Sequence, residues 1–373
     1  MTASDSIKRV NTGRQFEVDF VKFLAILFIV LVHSYEQFGA FDHEHIFPDT
    51  VFRHVVEFLG GPPAEPVFLF CIGIGMIYSK HNSPLDYVKS GLKLLLAGYL
   101  LNFFRQTLPQ FIGVMIGVGE GLDPIGGLFV VDILPFAGMA FLTVALMKKA
   151  KFSTLMICAI AFLMQAAGIW AANIDFEPGI IQSLLGLIIP SGTFTPFPLT
   201  LWFVFPAAGM LFGEYLQKCE DKKKMYTKLL AISLVIFASI TSSCLYFGID
   251  IRNMFVLYED LYYHTSMIGT LWIMCIVLFL LAVCYLIFRK LEETKAGTFV
   301  KYCSSNINTI YFIQWLVISY TLSVLMVLDI EKTTSPLIII LWFVFSAVVS
   351  ILISVPVVRI MRKIKNKKST AAD

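Results

Sequence analysis

One apolar run near the start of the chain holds ionisable side chains at both ends. Glu17, Asp19 and Lys22 stand at its beginning, and His33 and Ser34 follow Lys22 after ten intervening residues. In a helix, eleven residues turn about 20° beyond three full turns and advance roughly 16 Å. Lys22 and His33 therefore leave the same face at different depths. Asp19, three residues before Lys22, shares that face and is expected to pair with it. An imidazole suits proton transfer near neutral pH. A lysine ammonium suits phosphate as a point charge. Charge at membrane depth is costly, so such residues mark function by default. The bland alternatives are a lysine that reaches back to the headgroups and an interfacial histidine bonded to a carbonyl.

A second cluster follows at 60–66, where Gly60, Gly61, Pro62, Pro63, Ala64, Glu65 and Pro66 stop one helix and start another. Glu65 is expected at a helix N-terminus, which favours a carboxylate, close enough to orient the His33 ring. A plain helix-start acid is the competing reading. Other polar residues at membrane depth are Asn102, Arg105, Asp132, Glu214, Asn306, Asn308 and Gln314. Arg105 and Asp132 are expected to pair, and Glu214 to meet lysines. The tyrosines of 258–264 fit an aromatic belt as well as a sugar platform. His43 and His45 lack a fixed third ligand, so no metal site is expected. His54 lies in the same outer loop. No phosphate-binding loop, dinucleotide fingerprint or zinc-protease motif is present.

The elements that must carry these residues follow from composition. The chain has 373 residues, 57% hydrophobic and 15% charged, with mean hydropathy +0.78. Soluble domains hold about 25% charged residues, so this is an all-α, polytopic membrane helix bundle. A net charge of +3 gives no argument for nucleic acid. Seven cysteines without a C-x-x-C pair read as small core residues. A crossing needs about 20 apolar residues. Ten segments qualify: 20–38, 64–80, 88–106, 127–147, 153–172, 198–217, 227–247, 265–288, 307–328 and 336–358. The run 180–190 is too short and reads as re-entrant or interfacial. The first run has no small-residue cleavage site after it and reads as a retained span. The chain thus divides into a segment 1–19, a membrane domain 20–358 and a basic tail 359–373.

Lysine and arginine set the orientation. One set of loops and both ends hold 24 of them, the opposite loops only 4. Both termini are therefore expected to be cytoplasmic. The absence of an Asn-x-Ser/Thr sequon fits a bacterial inner membrane, and the expected location is a plasma or inner membrane.

Lys22 followed by ten residues and His33-Ser34 resembles the first span of the integral-membrane acyltransferase family 3. In that family an Arg and a His at this spacing mark the active site. Lys22 stands here in place of the Arg. The stretch from Pro66 to Gly73 resembles the Phe-rich, Gly-containing second span. Residues 132–138, Gly209 with Gly213, and 305–311 are similar to the related heparan-α-glucosaminide N-acetyltransferase-like group. In that group the catalytic His lies in the first outer loop, which makes His54 the second choice after His33. Gln314 stands where related sequences often carry His.

The resemblance implies an acyltransferase that uses acetyl-CoA or another acyl-CoA as co-substrate and no metal. CoA would approach the basic face, with Lys22 and Asp19 on the donor side. His33 would take the proton of a hydroxyl or amine on an extracytoplasmic carbohydrate or glycolipid acceptor, with Glu65 orienting the ring. Direct transfer and an acyl-histidine intermediate both stay open. A multi-pass secondary transporter also places polar residues at mid-membrane. No paired interrupted helices in matching halves are visible to support it.

Overall fold

The computed structural model describes residues 9–40, 48–118, 121–174, 176, 179–191, 195–256 and 262–370. The expectations for His43 and His45 and for Tyr258, Glu259 and Asp260 lie outside the described residues.

The first apolar run is one helix, α1 (Phe16–Phe38), with Glu17 and Asp19 in its first turn. There the helix dipole favours acids. Helices α2 (Val51–Gly60) and α3 (Glu65–Tyr78) follow, separated by the Gly-Pro turn at 61–64. Then come α4 (Pro84–Asn102), a π-helical turn (Phe103–Thr107), α5 (Leu108–Ile116), α6 (Pro124–Leu128) and α7 (Ile133–Lys149). Helices α8 (Thr154–Ala171), α9 (Ile180–Leu185), α10 (Leu199–Trp202), α11 (Val204–Lys218) and α12 (Lys222–Tyr246) lead into the second half. That half holds α13 (Met267–Phe288), α14 (Lys295–Ser305), α15 (Ile307–Val327) and α16 (Pro336–Thr370).

Seven helical stretches among the described residues are long and apolar enough to cross a membrane. They are Val51–Tyr78, Thr154–Ala171, Leu199–Lys218, Lys222–Tyr246, Met267–Leu291, Ile307–Val327 and Pro336–Lys367. The architecture is the expected all-α membrane bundle. The ten-span reading counts three more helices, α1, α4 and α7, which stand outside the seven. Of these, α7 has 17 residues, and α4 gives way to the π turn at Phe103. Residues 180–185 form a six-residue helix, too short to cross.

Helix α1 is the hub, packed against α2, α3, α13, α14, α15 and α16. Helices α4 and α7 pair with one another, as do α3 and α11. The second pairing requires glycine. A Cβ on Gly73 would sit 1.9 Å from the Pro206 carbonyl oxygen, and one on Gly209 would sit 2.0 Å from that of Phe70. A Cβ on Gly75 would meet nothing within 4 Å, whereas Gly73 and Gly209 let the two helices approach closely. Gly60 does the same for the site: a Cβ there would fall 2.2 Å from Val32 Cβ. The end of α2 is thereby seated against α1 one residue before His33.

Candidate active site

Two polar regions lie at opposite ends of α1. The N-terminal end is the basic end of the bundle. Glu17 is 3% exposed, accepts a hydrogen bond from Tyr226 Oη at 3.0 Å and pairs with Lys222. Asp19 pairs with Arg14 and accepts from Ser304 Oγ at 2.6 Å. Asp19 therefore serves the helix junction and does not reach Lys22. No hydrogen bond or ion pair reaches the half-buried Lys22 among the described residues.

The other end holds His33, buried at 7% exposure. Gln314 of α15 faces its ring, with Nε2 at 3.0 Å and Oε1 at 3.4 Å from Nδ1. An amide that donates to Nδ1 places the ring proton on Nε2. The same amide turned over accepts from Nδ1–H and bares Nε2 as a base. No hydrogen bond reaches Nε2 among the described residues. Trp315 lies against the imidazole, ring centroids 3.9 Å apart, and Tyr311 meets it edge-on at 6.2 Å. Tyr311, Gln314 and Trp315 are spaced i, i+3, i+4, so one face of α15 presents all three.

An ion pair closes the far side of Trp315. The Arg105 guanidinium carbon sits 4.2 Å above the Trp315 ring, in cation–π range. Arg105 Nη2 is 2.8 Å from Asp132 Oδ2, and both residues are buried. The pairing expected from sequence is present. Asp132 caps α7, accepting from the Ile133 amide at 2.6 Å, and takes the Tyr311 hydroxyl at 2.7 Å. Asn102, at the end of α4, ties the π turn to the segment leading into α7 by donating to the Leu128 and Val130 carbonyls at 3.0 and 2.8 Å.

Arg105 is delivered by the π turn. Pro109 has no N–H, and its ring would clash with the carbonyl of Arg105, four residues back. The chain answers with an i→i+5 bond from the Leu108 amide to the Phe103 carbonyl. The wider turn changes the face on which Arg105 leaves. Arg105 is left half-used, because its Nε and Nη1 have no hydrogen-bond partner among the described residues.

Four expected placements differ. Glu65 starts α3 and is buried, but no hydrogen bond joins it to His33; the ring partner is Gln314. His54 bonds back to the Thr50 carbonyl through Nδ1 at 2.9 Å and stands 3.3 Å from Asp49 through Nε2, with no hydrogen bond to the cluster among the described residues. Glu214 accepts from Thr154 Oγ1 rather than meeting a lysine. Tyr262 and Tyr263 are interior rather than an interfacial belt, and Trp202 Nε1 donates to the Tyr263 carbonyl at 2.9 Å. Burial holds the neighbouring His264 below the ordinary imidazole range. Among the described residues no cluster of His, Cys, Asp and Glu could hold a metal ion.

The family model for the acyltransferase domain, acyltransferase family 3, matches residues 15–359. No curated protein and no solved structure matches the chain. The match spans both polar regions and nearly all of the bundle, and the chain belongs to this family of membrane acyltransferases.

Proposed function

We propose that this acyltransferase moves an acyl group, acetyl in the first instance, from acyl-CoA at the basic end of the bundle to a hydroxyl or amine at the opposite end. The acceptor is a carbohydrate or glycolipid, and His33 is the general base. The observation that carries this reading is the His33 ring, with Nδ1 on Gln314, its face on Trp315, and no hydrogen bond to Nε2 among the described residues.

His33 Nε2 takes the acceptor proton as the acceptor oxygen or nitrogen bonds to the thioester carbonyl carbon. The carbon–sulfur bond then breaks, and the imidazolium returns its proton to the departing CoA thiolate. Gln314 and Trp315 act as positioning residues, fixing the tautomer and the plane of the ring. The Arg105–Asp132 pair braces Trp315 and Tyr311 from behind. Lys22 lies about three turns towards the basic end and offers an unpaired cation to the CoA phosphates. The surplus of basic residues in its loops supports a cytoplasmic position for that end, where acyl-CoA is found.

The test uses membranes holding the full chain, labelled acetyl-CoA and a panel of glycans. Substituting His33→Ala should lower transfer about 10²–10⁴-fold with membrane insertion unchanged. Normal turnover in that variant would remove His33 from the chemistry and move attention to His54.

A further inference from the structure

A cleft of about 560 Å³ opens beside the His33 cluster, between the π turn with α5 on one wall and the C-terminal half of α15 on the other. Its buried end, by exposure of the lining, holds Arg105 and Trp315. The rest is mainly apolar, with Ile112, Ile116 and Val327 among its walls. Its exposed lining is apolar too: Ile112 and Ile116 on α5 and Val324 and Val327 on α15 are exposed. The opening is therefore framed by exposed apolar side chains, a rim suited to a lipid tail.

The inner end has the opposite character. Arg105 is 4% exposed, and its Nε and Nη1 lack acceptors. A guanidinium buried with unused N–H groups calls for an anionic oxygen, and phosphate matches its fork. Gln110 lines the same cleft. A charged end and an apolar body in one cavity define an amphiphile. The cleft also lies at the His33 end of α1, away from the basic end assigned to the donor.

Resting on the acyltransferase reading above, we infer that this cleft holds the tail of a membrane-borne acceptor, an alkyl or prenyl phosphate glycolipid, with its phosphate on Arg105. The acceptor enters sideways from the bilayer between α5 and α15, and its phosphate end is held one aromatic ring away from His33. Acceptor choice then depends on the lipid tail as well as on the group that receives the acyl chain.

The experiment uses the full chain in nanodiscs of zwitterionic lipid with a photoactivatable farnesyl phosphate carrying a diazirine in its tail. Labelling, mapped by peptide mass spectrometry, should concentrate on 110–116 and 319–328, at least fivefold over α12. The matching farnesol probe, which lacks the phosphate, should label all lipid-facing helices evenly. Arg105→Gln should bring the phosphate probe down to the farnesol pattern. Ser323→Trp, which fills the cleft, should remove the concentrated labelling, and Ser323→Ala should keep it. An even pattern with farnesyl phosphate in the parent chain would overturn the inference. So would loss of the focused labelling in a phosphatidylglycerol background, which would make the cleft a site for ordinary bilayer lipid. CoA release from acetyl-CoA is read on the same preparation. Focused labelling without CoA release would remove the acyltransferase reading and leave a lipid-phosphate site. CoA release with even labelling would remove the cleft assignment alone.

Discussion

The two ends of α1 carry buried charge in different ways. At the basic end each carboxylate has two partners: Glu17 has Tyr226 and Lys222, and Asp19 has Arg14 and Ser304. At the His33 end the charges are as deeply buried, yet Arg105 uses one of its nitrogens on Asp132 and leaves two without partners. Buried polar groups are ordinarily satisfied because an unmade hydrogen bond costs about 1–3 kcal/mol. Spent hydrogen-bonding capacity holds helices together, whereas unspent capacity in a protein-lined cavity awaits a ligand. The contrast separates a structural joint from a reaction site on one helix, although both look alike as charge in an apolar run.

The comparison breaks first at Arg105. Arg105→Leu should destabilise the protein by about 3–5 kcal/mol, because Asp132 is left as an unpaired buried charge. The double variant Arg105→Leu, Asp132→Leu should recover part of that stability but none of the turnover. Thermal unfolding in detergent and CoA release measure the two separately. Recovery of turnover in the double variant would make the pair a brace with no further role.

Gln314→Leu sharpens the same end. It removes the partner of a ring that becomes charged during transfer, and such bonds contribute about 1.5–3 kcal/mol. Turnover should fall roughly tenfold to a hundredfold, with the melting temperature and the acyl-CoA KM little changed. The pH–rate profile should also move, which a packing defect alone would not cause. Gln314→Glu should restore part of the rate by accepting from Nδ1–H.

Lys22 lies between the two regions and belongs to neither. Lys22→Gln should raise the acyl-CoA KM about tenfold, on the scale of one lost charge-assisted bond, and leave acceptor KM unchanged. Lys22→Arg should retain activity. An unaltered acyl-CoA KM in Lys22→Gln would show that the lysine only reaches for the headgroups.

The smallest effect is expected at the joint. Asp19→Asn weakens a pair whose arginine is 46% exposed, and pairs with one exposed partner contribute about 1 kcal/mol or less. Stability should dip slightly, with turnover per folded molecule unchanged. A loss of turnover at Asp19 matching that at Gln314 would erase the distinction between the two ends.

Much of this molecule was legible beforehand. Apolar runs of crossing length announced an all-α bundle. The lone charges Arg105 and Asp132 announced each other, since neither is tolerated in lipid alone. His33 stood out by residue type and by its spacing from Lys22. Asp19 pairs with Arg14 and Ser304 rather than Lys22, because helix spacing reports only neighbours on the same helix. Arg14 precedes that helix and Ser304 is 285 positions away. Glu65 was placed beside His33 on a sound argument about helix ends, but the turn at 61–64 does not join its carboxylate to the ring.

Residue type and periodicity by themselves determined the helical class, the uneven distribution of basic residues and the presence of a histidine on a buried face. Each follows from transfer energies that act residue by residue. Only the tertiary structure decided what touches that histidine. Gln314, Trp315 and Arg105 come from helices far apart in the chain, and their meeting depends on the Gly60 contact, the Asn102 bonds and the π turn that Pro109 imposes. Those are matters of backbone approach and helix phase, where one residue rotates a side chain by about 100°, and a linear pattern carries no record of which neighbour that face will meet.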